Sequence, residues 1–316
     1  CFAKNKRCQY SACMNRRNFI SSMIAAPIVA APAAFGQRGQ GGTPPQATTP
    51  AVQPTVARTK IKQSVMSSVW GNSPLSFEER CKVLARIGFK AVDLPSAQQV
   101  PILKANGLVP ALMTGTGSSF QVGLIRKEEH AKFEDETRKG IDMCVDLGCP
   151  NLIGLPGERR GMPWEEASDN AVAYFNRVKS YAEQKGINLC MEITNSKVVA
   201  DQRTDQVFNH LAWGIDVCKK VNSPRVKVVF DIYHVQIADG DVVRSLRDNL
   251  NWICHIHTAG VPGRTEIDET QELNYRFIAN AIADSGYTGY VAHEHRPSMG
   301  KDPIQSLEKC FEILNV

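Results

Sequence analysis

From residue 61 onward, short runs rich in apolar and β-branched residues recur along the chain. They lie at 63–69, 90–94, 107–113, 150–155, 187–193, 226–232, 252–258 and 289–294. Their length and composition predict strands. Between them lie segments with helical periodicity. Ser76 opens the stretch SFEERCKVLARIG, with Glu79 three residues on to complete a capping box and Gly88 to stop the helix. Helices are predicted from Glu128 to Leu147 before Gly148, and from Trp164 to Lys185 before Gly186. Three more are predicted from Asp205 to Val221 before Pro224, from Glu272 to Ser285 before Gly286, and from Asp302 to Leu314. Eight strand-then-helix units over about 255 residues have the rhythm of an α/β fold, a parallel (β/α)8 TIM barrel over 61–316. A doubly wound open sheet would want a Gly-rich turn after the first strand, and SSVWGNSPLS is not one.

The first 60 residues follow a different pattern. MNRRNFISSMIAAPIVAAPAAFGQ begins at Met14 and pairs Arg16 with Arg17 ahead of a modest apolar stretch and the small residues Ala31-Pro32-Ala33. That layout predicts a leader over 1–35 with a twin-arginine-type export signal, and hence a periplasmic or cell-envelope location. The chain opens on Cys1, and residues 1–13, ahead of Met14, are given no structural role. Residues 36–60 are dominated by Gly, Pro, Gln and Thr, with little to bury, and predict a flexible linker. No run reaches the roughly 20 apolar residues of a membrane span.

Charge and cysteine content narrow the picture further. The chain carries 37 basic and 32 acidic residues. Eight of the basic residues and none of the acids fall in 1–60, so residues 61–316 hold 29 basic against 32 acidic residues, a net of −3. A mildly acidic domain argues against nucleic acid as a partner and leaves a small molecule as the expected one. The seven cysteines beyond the leader show no C-x-x-C pair and are expected to be buried free thiols.

In a barrel of this kind chemistry sits at the C-terminal ends of the strands. The last four predicted strands end in Glu192, Asp231, His257 and Glu294. Any one of these alone reads as a solvated strand end. Adjacent strands stand about 4.8 Å apart, however, so four such side chains can converge on one ion. Carboxylates with an imidazole and no thiolate favour Mn2+ or Mg2+, with Co2+ or Zn2+ as further candidates. Period-two alternation turns His293 and His295 away from Glu294 and places His255 one layer below His257, as an interior histidine.

The segments MEITNSK, FDIYHVQIADGD, HIHTAGVPGRTEID and ELNYRFIANAIADSGYTGYVAHEHRP resemble hydroxypyruvate isomerase. That enzyme belongs to the wider xylose isomerase-like barrels, which include ketose 3-epimerases and endonuclease IV. The resemblance implies that Glu192 and Glu294 pass a proton and that both join Asp231 and His257 around a metal ion. It implies that His234 contacts a substrate oxygen and that Arg264 meets the far end of the substrate. His at 257 follows the epimerase pattern. The epimerases carry a further Glu where this chain has Val198, and Lys197 beside it is expected to reach the pocket instead. The resemblance also allows a homo-oligomer. The expected activity is divalent-metal-dependent isomerisation of α-hydroxy carbonyl compounds through an enediolate. A 3-epimerase or lyase of sugars and 3-keto-glycosides on the same fold is the main alternative, and a non-catalytic exported sugar-binding module is another. An endonuclease IV-like nuclease would need histidines where strands two and three read AVDLPS and ALMTGTG.

Overall fold

A computed structural model describes residues 60–198 and 205–316. The leader and linker expected over 1–35 and 36–60 lie outside the described residues, apart from Lys60. The eight strands are β1 (Lys62–Val65), β2 (Ala91–Asp93), β3 (Val109–Thr114), β4 (Asn151–Gly154), β5 (Asn188–Glu192), β6 (Val226–Asp231), β7 (Ile253–Thr258) and β8 (Tyr290–His293). They pair in sequence order, all parallel, and β1 closes on β8 from Lys62↔Tyr290 to Val65↔His293. The (β/α)8 barrel expected from the sequence is therefore the observed fold.

The outer layer contains α1 (Phe77–Ile87), α2 (Val100–Ala105), α3 (His130–Leu147), α4 (Trp164–Lys185), α5 (Leu211–Val221), α6 (Ile232–Ala238), α7 (Val242–Asp248), α8 (Tyr275–Asp284) and α9 (Pro303–Leu314). The Ser76–Glu79 capping box forms at α1, and Gly88 takes the left-handed conformation that ends it. Helix α5 starts at Leu211 rather than Asp205. Asp205 is occupied elsewhere, accepting from the Arg160 N–H at 2.7 Å and lying 3.5 Å from the Arg159 guanidinium. Short α2, α6 and α7 were not evident from periodicity, because one or two turns show too little of a 3.6-residue pattern.

Both faces of the strands are buried. Val228 and Phe230 of β6 and Leu189 and Met191 of β5 pack outward with the helices in the main core. Each contributes about 1.5–3 kcal/mol on burial. Val229, Cys190, Leu112, Ile153 and Cys254 form a separate cluster inside the barrel. Inward positions one step further along β5 and β6 are Glu192 and Asp231, so the alternation that fills the floor with apolar groups delivers acids to the rim. The seven cysteines from Cys81 to Cys310 are free and buried. Among the described residues no helix is long and apolar enough to cross a membrane.

Candidate active site

Asp231 ends β6, and its carboxylate caps the helix that follows. Its Oδ1 accepts from the backbone N–H of Tyr233 at 2.8 Å and of His234 at 3.4 Å, starting α6. The strand run read as continuing to Ile232 therefore turns at Asp231, and the turn brings His234 back over the barrel mouth. His234 Nδ1 accepts from the Asn195 backbone N–H at 3.0 Å. The other ring nitrogen, Nε2, lies 3.5 Å from Asp231 Oδ2 and 3.2 Å from Arg264 Nη1.

Glu192, Asp231, His257 and Glu294 come together at the ends of β5 to β8. One ligand-capable atom from each lies within 4.8 Å of all the others. His257 Nδ1 is 3.0 Å from Glu192 Oε1 and 2.9 Å from Glu294 Oε2. Arg264 enters from the loop after β7, with Nη2 2.6 Å from Glu294 Oε1 and 3.3 Å from Asp231 Oδ2. Its guanidinium also stacks over the Tyr233 ring at 5.0 Å. Lys197 goes elsewhere. Its Nζ donates to the carbonyls of Ile237 and Ala238 at 2.9 and 3.0 Å, at the end of α6, so it is not drawn into the carboxylate group.

Two residues of this site escaped the sequence reading. Asp93, at the end of β2, is buried beneath His257. Its Oδ2 is 3.2 Å from His257 Nε2 and 2.5 Å from His255 Nε2, and its Oδ1 accepts from the Ser64 hydroxyl. The available signal was the same one used elsewhere, an acid closing a strand run. With Nε2 held by Asp93, Nδ1 is the His257 nitrogen that faces the glutamates. Asn195 is the other, and it orients His234 through both its backbone N–H and its side chain.

The electrostatics follow from burial. Each buried carboxylate costs several kcal/mol in desolvation unless it is paired. Burial pushes Asp231 up to about 7, against the pull of Arg264 and with the help of the Glu294 charge. Burial would also raise Glu294, but Arg264 and His257 outweigh it and hold this carboxyl well below the usual range. For His257, burial opposes protonation, yet Glu294, Asp93 and Glu192 together raise the imidazole well above its ordinary value. Asp93 is likewise held low by His255 and His257 in spite of burial.

Three carboxylates and one imidazole nitrogen are the donor set of a hard or borderline divalent cation. Glu294 Oε2 is buried and makes no hydrogen bond in proper geometry, although it lies close to His257 Nδ1. The four side chains therefore fit such an ion in both chemistry and proximity.

Comparison with known proteins places this chain among relatives. A family model described as a xylose isomerase-like TIM barrel matches residues 81–310. A protein of Mus musculus, provisionally named a hydroxypyruvate isomerase, is 35% identical over 234 residues, covering 69% of this chain and 83% of that protein. The 2-oxo-tetronate isomerase of Haemophilus influenzae is 29% identical over 233 residues, covering 70% and 88%. The crystal structure of 3-keto-D-glucoside 4-epimerase from E. coli superposes with a TM-score of 0.67 at 17% identity, over 80% of this chain and 98% of that one. At that identity the likeness speaks for the fold alone.

Proposed function

The chain belongs to the xylose isomerase-like TIM-barrel family, and from that premise we propose that it isomerises short α-hydroxy carbonyl acids of the hydroxypyruvate kind. Its standing as an isomerase rests on the names of its relatives and on the shared barrel. The observation that carries the finer reading is the convergence of Glu192, Asp231, His257 and Glu294 within 4.8 Å of one another.

The reaction moves a carbonyl by one carbon. A proton leaves C3 of the substrate, the C2 carbonyl becomes an enediolate, and a proton is delivered to C2 while the hydroxyl proton passes from O3 to O2. The C–H bond is a weak acid, so the transient negative charge on oxygen must be stabilised as it forms. Glu192, Asp231, His257 and Glu294 would hold a divalent cation, which when bound would supply that stabilisation as a Lewis acid.

The chain's own groups perform the remaining tasks. Glu294, kept ionised by Arg264 and His257, takes the C3 proton as general base, and Glu192 returns one to C2. His234, oriented by the Asn195 hydrogen bond, meets the developing oxyanion. Arg264 carries a planar guanidinium that matches a substrate carboxylate bidentately, which gives the site its preference for an acid over a neutral sugar. The test is a panel of hydroxypyruvate, a four-carbon 2-keto acid, neutral ketoses and a 3-keto-glycoside, assayed with Mn2+ and after chelation. Turnover of the acids that is lost on chelation and regained with Mn2+ supports the proposal. Turnover of the ketoses or the keto-glycoside alone assigns the site to sugars and overturns it.

A further inference from the structure

The floor of the barrel holds a pair of thiols that the site at its mouth does not use. Strand β7 pairs with β6 through a register shift: Val228 lies opposite Ile253, and the next residue, Val229, lies opposite His255. Cys254 is the extra residue of that bulge. Ile253 packs outward in the main core, whereas Cys254 joins Cys190, Val229, Leu112 and Ile153 in the cluster inside the barrel. Cys190 Sγ and Cys254 Sγ lie 2.7 Å apart, although 64 positions separate them in sequence and β6 stands between their strands. A disulfide bond is about 2.05 Å long, so closing the pair takes roughly 0.7 Å of approach.

The two thiols differ in access. A cavity of about 480 Å3 opens below the floor, at the N-terminal ends of the strands. Lys62, Lys227, Asn251, Tyr287 and Tyr290 line it together with Cys254, and Lys62 and Asn251 are exposed. Cys254 is 9% exposed against 1% for Cys190. Burial and the adjoining Cys254 thiol also push Cys190 well above the ordinary thiol range. A reagent entering from below therefore meets Cys254 first, with Cys190 behind it.

We propose that Cys190 and Cys254 are a redox pair that closes into a disulfide across the barrel floor when a small disulfide compound enters the basal cavity. The Cys254 thiolate attacks one sulfur of the reagent and forms a mixed disulfide, and the departing thiolate takes up the Cys254 proton. The Cys190 sulfur then attacks the Cys254 sulfur, expels the second half of the reagent and hands it the Cys190 proton. The chain loses two hydrogens, and the reagent is reduced to two thiols. The bond ties β5, which carries Glu192, to β7, which carries His257, and it holds a long loop closed in the unfolded chain. An oxidising compartment, as expected from the leader, favours the closed form.

The test uses the native full chain. It is incubated with bis(2-hydroxyethyl) disulfide, its remaining thiols are alkylated, and it is digested with trypsin without reduction. Cys190 and Cys254 leave in separate peptides, 186–197 and 248–264, whereas Cys144 and Cys149 stay together in one. The expected product is peptide 186–197 joined to 248–264, lighter than the two thiol peptides by two hydrogens and absent from Cys254→Ser. The joined protein should also unfold at a higher urea concentration than the thiol form. No joined peptide from the native protein, under conditions that oxidise free dithiothreitol, overturns the pair. A joined peptide that forms only after unfolding in urea, or a mixed disulfide on Cys254 that Cys190 never displaces, overturns it equally. A urea midpoint no higher than that of the thiol form overturns the bond's role as a staple.

Discussion

Replacing Asp93 with asparagine removes one buried negative charge from beneath His257 and keeps the shape of the side chain. The carboxylate touches His257 Nε2 at 3.2 Å and His255 Nε2 at 2.5 Å, with Ser64 on its other oxygen. In the variant, both imidazole contacts become neutral hydrogen bonds at best. A bond to a charged partner contributes about 1.5–3 kcal/mol and a neutral one about 0.5–1.5, so the two contacts together lose roughly 2–3 kcal/mol. Part of that loss falls on His257, whose Nδ1 then loses both basicity and orientation towards Glu192 and Glu294. Partners of this kind change metal affinity by about 10- to 100-fold when removed. The assay is calorimetric titration of Mn2+ into the metal-depleted protein, beside kcat/KM for hydroxypyruvate. We expect Mn2+ binding to weaken by about 10- to 100-fold and turnover to recover in part at high Mn2+. Unchanged Mn2+ affinity in a folded Asp93→Asn protein refutes the idea that Asp93 holds His257 for the ion.

Other substitutions probe other parts of the account. Arg264→Lys loses the planar fork, so KM for a keto acid rises by about 10-fold or more while any turnover of a neutral ketose changes little; equal effects on both contradict a carboxylate role. His130 is buried and its Nε2 donates to the Leu124 carbonyl at 2.9 Å. Burial lowers its pKa below the ordinary 6.5, so the unfolded chain binds the proton first. Its contribution to stability is full above the unfolded pKa and is lost as pH falls towards the folded one. The urea midpoint of unfolding should therefore drop on acidification from about pH 7.5 to 5.5, and the drop should be smaller in His130→Gln; an equal drop removes His130 as a cause. Arg16→Lys with Arg17→Lys should leave the protein in the cytoplasmic fraction, measured by fractionation and immunoblotting, if the leader acts through its twin arginines.

The eight strands and the rim acids were legible because a parallel barrel writes both into one alternating pattern. Val228, Val229, Phe230 and Asp231 show it, with apolar groups on both faces until the strand leaves the core. The same parity rule set His293 and His295 opposite Glu294, and both lie beneath α9 as that rule requires. Asp93 obeyed the strand-end rule too, but β2 has only three residues and its purpose depends on β7, distant in sequence. The partners of Lys197 were not legible, because they are carbonyls at the end of α6, a helix too short to read. That helix in turn hid behind Asp231, which looks like one more strand residue until its carboxylate is seen capping Tyr233 and His234.

The central claim is that two glutamates at one barrel mouth exchange a carbon-bound proton of the substrate. Proton NMR of hydroxypyruvate incubated in D2O with the Mn2+-loaded protein reads that exchange directly. The account predicts deuterium at the reacting carbons with the native chain, and loss of both exchange and isomerisation in Glu192→Gln and in Glu294→Gln, each still folded. Near-native exchange in either variant would contradict it.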